Sequence, residues 1–213
     1  IVHVGADVEI SDNDGLTSLQ GLNNLQTVAG ELRVEDNPAL VNLDGLYSLN
    51  SIGGLRIAWN DGLENLEGLS SALNCSGAIT IRDNPLLQSL HGLENIAPTG
   101  IMDLQVYDCE LLTLCSVESV CSYLSESLGP STIASNENGC NSQEEILEAC
   151  DEESVHVMHL METSRRLVKM VDITGRILYE YDNPAYHQTN VRASQLLILV
   201  YDDGTAEKTF ALE

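Results

Sequence analysis

A motif of about two dozen residues repeats in phase through the first half of the chain, and it limits the possible folds more than any other feature. Four segments align: VEISDNDGLTSLQGLNNLQTV (8–28), LRVEDNPALVNLDGLYSLNSI (32–52), LRIAWNDGLENLEGL (55–69) and ITIRDNPLLQSLHGLENI (79–96). A degenerate fifth copy reads LQVYDCELLTL (104–114). Asn13, Asn37, Asn60 and Asn84 are 24, 23 and 24 residues apart, and Gly21, Gly45, Gly68 and Gly92 keep the same intervals. That period is too short for paired helices and suits one strand plus one loop return per turn.

Within each copy, alternate residues of the strand point inward: Val8 and Ile10, Leu32 and Val34, Leu55 and Ile57, Ile79 and Ile81, Leu104 and Val106. The Asn follows the strand, where the chain must turn, and its amide can bond loop backbone that the sheet leaves unpaired; stacked copies would form a ladder. Leu16, Leu19, Leu22 and Leu25 then recur every third residue, as do Leu40, Leu43, Leu46 and Leu49. Strict threes favour three-residue turns over an α-helix, although an amphipathic helix over 16–25 is the competing reading. The recurring glycine fits a tight bend or a positive φ. One such turn cannot bury its own leucines, so the expected architecture is a stacked solenoid. With 32 leucines and nine aromatic residues in 213, its core must be built of leucine.

These repeats resemble the leucine-rich-repeat superfamily, and most closely the receptor-L-domain-like arrays of secreted Bacteroidetes proteins, through the in-phase pattern strand-DNPxLxxLxGLxxLxxIxG. The resemblance covers roughly residues 1–150 and implies a mainly β, right-handed solenoid. Residues LCSVESVCSYL (114–124) and STIASNENGCNSQEEILEAC (131–150) look like the cysteine-bearing C-terminal cap of such arrays. Ile133 and Asn136 would form a final turn, and 142–150 a short helix. At the other end the chain opens on Ile1, with no Met and no signal peptide, which reads as a mature form or a fragment. Ile1–Val4 aligns with the close of a missing repeat, so the array is expected to begin upstream.

Six cysteines, Cys75, Cys109, Cys115, Cys121, Cys140 and Cys150, occupy the middle of the chain with no metal-type CxxC pair. No His lies between His91 and His156, so a zinc site would need thiolates alone. Disulfides are the expectation for all six, and with them an oxidising compartment. Six cysteines allow 15 connectivities. The cap resemblance implies Cys115 with Cys140 and Cys121 with Cys150, which leaves Cys75 and Cys109.

The net charge of −24, from 33 acidic and nine basic residues, argues against binding nucleic acid or an anionic membrane surface. No stretch is long and apolar enough for a membrane-spanning helix, so direct membrane insertion is not expected. Residues 1–150 hold 22 acidic residues and only three basic ones, and Arg33, Arg56 and Arg82 all fall on outward strand positions. Glu9, Glu35, Thr80, Gln105 and Tyr107 share that face. Two readings stand: cross-strand pairing of the arginines with Glu9, Glu31 and Glu35 stabilises the sheet, or the face is a recognition strip for an unknown protein or glycan. Asp12-Asn13-Asp14-Gly15 has the look of a calcium loop but lacks a bidentate Glu at the twelfth position, where Asn23 stands, and its Asn belongs to the ladder.

After Cys150 the repeat phase ends. Residues 151–154 read as a linker, and 155–213 as a small β-domain with strands at 155–160, 167–172, 177–181, 196–201 and 208–212. Thr174-Gly175 and Asp202-Asp203-Gly204 are hairpin turn signals, and Leu196–Val200 suits a central strand. Through DITGRILYE (172–180) and LLILVYDDGTAEKTFALE (196–213), this segment resembles the C-terminal sorting domain of type IX secretion cargo, a small immunoglobulin-like β-sandwich. On that resemblance Asp172, Gly175 and Arg176 match the first turn, and Asp203, Gly204 and Lys208 the last hairpin. The family's Pro-Asn-Pro near the first strand is absent, and Gln195-Leu196-Leu197 replaces its Gly-aliphatic-Tyr. The resemblance implies passage across the outer membrane, with an outer-membrane barrel and translocon as partners, and a secreted or cell-surface location.

Catalysis has little to stand on. His3, His91, His156, His159 and His187 are scattered, neither Ser154 nor Ser194 sits in an activating motif, and there is no GxSxG or phosphate-binding glycine loop. No enzyme activity, cofactor or metal is expected. The leading expectation is an exported binding or adhesion module; a stalk or surface-coat element without a specific ligand is the alternative.

Overall fold

The computed structural model describes residues 1–150, 167–172, 177–180, 196–201 and 206–210. The chain divides into two compact units, Ile1–Ala149 and Cys150–Glu213. The first unit is built on one eight-stranded sheet in which every pairing is parallel. Its strands are β1 (His3–Val4), β2 (Val8–Ser11), β3 (Thr27–Glu35), β4 (Ser51–Ala58), β5 (Asn74–Cys75), β6 (Ala78–Arg82), β7 (Asp103–Tyr107) and β8 (Ser131–Ala134).

Each repeat contributes one strand, and equivalent residues lie in register from repeat to repeat. Val8 faces Leu32, Leu32 faces Leu55, Leu55 faces Ile79 and Ile79 faces Leu104. From Leu32 to Val106 these inward residues are essentially without solvent exposure. β3 and β4 are longer than the repeat alone suggests, because Thr27–Val28 and Ser51–Ile52 form a second parallel ladder with His3–Val4 and Asn74–Cys75. The register shifts between Val28 and Glu31, where the ladder breaks at Ala29–Gly30. Here neighbouring backbones come close: a Cβ on Gly53 would sit 2.3 Å from the Ala29 carbonyl oxygen, and one on Gly77 2.2 Å from that of Gly53.

The return from each strand is the leucine spiral. Leu40 N–H donates to Asn37 O, Leu46 to Leu43 O and Leu49 to Leu46 O, so the period of three is a run of i to i+3 bonds rather than an α-helix. Short 3₁₀ turns occur at Gln20–Leu22, Glu67–Leu69 and Pro98–Gly100. The corner glycines are required where one spiral stacks on the next. A Cβ on Gly45 would lie 2.0 Å from Leu19 O and one on Gly68 2.1 Å from Leu43 O, and Gly45 and Gly92 have φ of +116° and +110°. Gly21, on the first corner, has nothing within 4 Å.

The asparagines form the ladder. Asn60 Nδ2 donates to Val34 O, Ala58 O and Asn84 Oδ1, while its own Oδ1 accepts from Asn37 N and Nδ2. Asn37, Asn60 and Asn84 are fully buried, and no buried side-chain polar atom among the described residues lacks a partner. Asn13 joins through Ser11 O and Asn37 Oδ1, which commits its amide to the ladder.

Two cysteines correct the expectation of six half-cystines. Cys115 and Cys140 are joined, with Cα atoms 5.6 Å apart, and Cys121 and Cys150 are also disulfide-bonded. Cys75 and Cys109 are buried free thiols. Cys75 faces Ile52 in the second ladder, so it fills an apolar position of the core. Cys109 takes the ladder position of an Asn: its N–H donates to Asn136 Oδ1 and its thiol to Tyr107 O. Both thiols are held protonated, chiefly by burial, and Cys109 is pushed up to about 11.

The last repeat is covered by helix α1 (Glu118–Ser125), strand β8 and helical residues 143–150. α1 buries Val120, Tyr123 and Leu124, Tyr123 Oη donates to Pro130 O at 2.7 Å, and Ile146 is fully buried. Leucine faces at the end of a stacked array need such cover. Among the described residues no helix is long and apolar enough to cross a membrane.

The second unit contains an antiparallel sheet of β9 (Leu167–Asp172), β10 (Ile177–Glu180), β11 (Leu196–Tyr201) and β12 (Ala206–Phe210), in the order β10-β9-β11-β12. β11 is a central strand, paired with β9 on one side and β12 on the other. The last strand begins at Ala206, two residues earlier than its pattern suggests. The linker at 151–154, the expected strand at 155–160 and both turns, with Gly175, Arg176, Asp203 and Gly204, lie outside the described residues. Asp172 ends β9 opposite Leu197, and Lys208 lies in β12 opposite Ile198.

Candidate functional site

Because the strands are parallel and in register, outward side chains line up in rows across the sheet. One row runs Glu9, Arg33, Arg56, Thr80, Gln105 and Thr132; the next runs Ser11, Glu35, Ala58, Arg82, Tyr107 and Ala134. All eight residues expected on the exposed face therefore share one surface. Thr80 is the exception in exposure: at 5% it is buried within its row and offers little to a ligand.

Arg33, Arg56 and Arg82 are each ion-paired, though not with the full set of expected partners. Arg33 Nε bonds Glu31 on its own strand, and Nη2 lies 3.4 Å from Asp7. Glu31, through that hydrogen bond and its charge, raises the Arg33 pKa. Arg56 Nε bonds Glu35 diagonally across the ladder, and Arg82 Nη1 bonds Asp83 at 2.7 Å. Glu9 is directly opposite Arg33 but takes the Ser11 hydroxyl instead, at 3.0 Å. Gln105 is turned toward Asp103, its Nε2 donating at 2.6 Å.

The residue after each strand forms a column of its own. Asp12, Asp36, Asp83 and Asp108 all have φ between 53° and 58°, and each donates its N–H to the strand end of the next repeat. Asp is among the residues that tolerate this left-handed conformation. The third member of the column is Trp59, at φ 54°, where a bulky side chain is out of place. Trp59 is 39% exposed. The Arg82 guanidinium carbon stacks 3.5 Å from the ring centroid, that of Arg56 lies 5.9 Å away, and Arg82 is also 5.9 Å from the Tyr107 ring. The outward face thus has a focus, an Arg56–Trp59–Arg82–Tyr107 cluster edged by Glu35 and Asp83.

No protein-family model, curated protein or solved structure matches the chain.

Sequence reasoning found three members of the cluster and missed Trp59, which carries its largest apolar surface. A signal was available: Trp59 is the sole tryptophan of the chain and stands where four other repeats have Asp. Among the described residues there is no group of three or more His, Cys, Asp or Glu arranged to hold a metal ion.

Proposed function

We propose that this chain is an exported, non-enzymatic binding protein. Residues 1–150 are a right-handed leucine-rich-repeat-like solenoid that presents its outward sheet face to a protein or glycan, and 155–213 are a small immunoglobulin-like sorting domain read by the type IX secretion machinery. The observation that carries the binding reading is the Arg56–Trp59–Arg82–Tyr107 cluster on an otherwise acidic surface. Bulky aromatic and arginine side chains gathered at one place supply most of the energy of typical interfaces. The delivery reading rests on the likeness of 172–180 and 196–213 to sorting domains, and the disulfides accord with an oxidising destination.

The test of binding is adhesion of bead-coupled protein to a panel of immobilised matrix proteins and polysaccharides. The variant carrying Arg33→Gln, Arg56→Gln and Arg82→Gln should lose adhesion while its melting temperature stays within a few degrees. Delivery is tested by fusing 151–213 to a periplasmic reporter in a type IX-competent host, where surface or medium export should vanish without the secretion machinery.

A structural stalk or surface-coat element is the second reading, favoured by the pairing of all three arginines within the protein itself. It predicts adhesion unchanged and stability lowered in the triple variant.

A further inference from the structure

We infer that the Trp59 cluster is a subsite for an uncharged sugar ring. This deepens the binding reading and rests on it. The first argument is charge. Within a chain of net charge −24, the two guanidinium groups beside Trp59 are each paired with a carboxylate, Arg56 with Glu35 and Arg82 with Asp83. An anion approaching the ring meets two carboxylates, and a cation meets two guanidinium groups. A neutral hydroxyl is penalised by neither.

The second argument is the kind of hydrogen bonding on offer. Each hydroxyl is both donor and acceptor, and is best satisfied where carboxylate and guanidinium stand side by side. Arg56 uses Nε for Glu35, and Arg82 uses Nη1 for Asp83. A guanidinium has five N–H donors in a fixed fork, so each arginine keeps donors for another acceptor. The Asp83 side chain is 32% exposed, and Asp36, the preceding residue of the column, is exposed as well, so acceptors are within reach of a molecule seated on the ring.

The third argument is the ring. A pyranose carries a face of C–H groups that packs on an aromatic surface, and Trp59 keeps more than a third of its surface open despite the stacked Arg82. That stack also fixes the ring, so little side-chain freedom remains to be lost on binding. A tryptophan held in a left-handed conformation that Asp adopts elsewhere in the column is the type of local strain found at ligand sites.

Trp59 is the only tryptophan among seven tyrosines, so emission excited at the red edge of the absorption band, beyond tyrosine, reads this site alone. The experiment titrates the chain with neutral gluco-, manno-, galacto- and xylo-oligosaccharides, and in parallel with polygalacturonate and polylysine. A saturable change in Trp59 emission is expected with at least one neutral oligosaccharide and with neither charged polymer. Calorimetry should show affinity weakened at least about tenfold in Trp59→Asp, the residue of the other repeats, with its melting curve as the check on folding. Saturation by polygalacturonate or polylysine alone would overturn the ligand class and leave the face as a binding surface. Emission unmoved by every probe, or calorimetric affinity unchanged in Trp59→Asp, overturns the subsite. Adhesion of the parent and of the triple arginine variant then decides separately whether the face binds anything.

Discussion

The guanidinium carbon of Arg82 lies 3.5 Å from the centroid of the Trp59 ring, and the two residues come from successive repeats. The stack is anchored in the backbone: Trp59 N–H donates to the carbonyl of Arg82 at 3.3 Å, the same bond that Asp36, Asp83 and Asp108 make to the following strand. Parallel register alone therefore brings the two side chains together. Asp83 then holds the guanidinium from its far side in sequence.

Replacing Trp59 by Asp should leave stability within about 1 kcal/mol of the parent. Relief of the left-handed conformation is worth about 1 kcal/mol, and loss of the exposed stack on Arg82 costs about 0.5–1 kcal/mol. Urea denaturation checks this, and a loss several times larger would mark Trp59 as a structural residue.

Asn60→Ala should cost about 2–4 kcal/mol, because it strands the buried N–H of Asn37 and the carbonyl of Val34 together. Chemical denaturation measures it, and Asn13→Ala, at the exposed end of the ladder, should cost clearly less.

The corner glycines should differ sharply. Gly68→Ala places a Cβ about 2 Å from the Leu43 carbonyl oxygen and should destabilise by about 1–3 kcal/mol. Gly21→Ala meets nothing within 4 Å and should be neutral within about 0.5 kcal/mol in thermal melts.

Under native conditions at pH 8 a thiol reagent should find no reactive cysteine, and two per chain after unfolding without reductant, from Cys75 and Cys109. The unfolded Cys109 thiol loses its proton near 9 and the folded one near 11. In that window the unfolded chain binds fewer protons, so the stability that Cys109 contributes is complete below it and falls as pH rises through it. Cys109→Asn, which restores the ladder residue and carries no titrating group, should flatten this part of the stability–pH curve.

The repeat makes much of the first unit legible in the sequence itself. Strand positions, inward alternation, the asparagine ladder and the spiral of threes each follow from a local residue pattern, and stacking identical patterns only reinforces them. Cys109 misled because cysteines invite pairing, whereas here a ladder position and a shell of stacked loops isolate the thiol from any other. The second ladder through Val28, Ile52 and Cys75 was missed because two-residue strands carry almost no periodicity.

What the sequence determined by itself was the one-dimensional plan: the period, the leucine core and the strand that each repeat contributes. These depend on contacts between equivalent positions, which repetition specifies in advance. Only the tertiary structure decided how the non-repeating residues meet. Arg56, Trp59, Arg82 and Tyr107 are spread over 52 positions of the chain, and parallel register brings Arg82 and Tyr107 beside the first two. Which acid each arginine takes depends on side-chain reach across that register, and no local pattern encodes it.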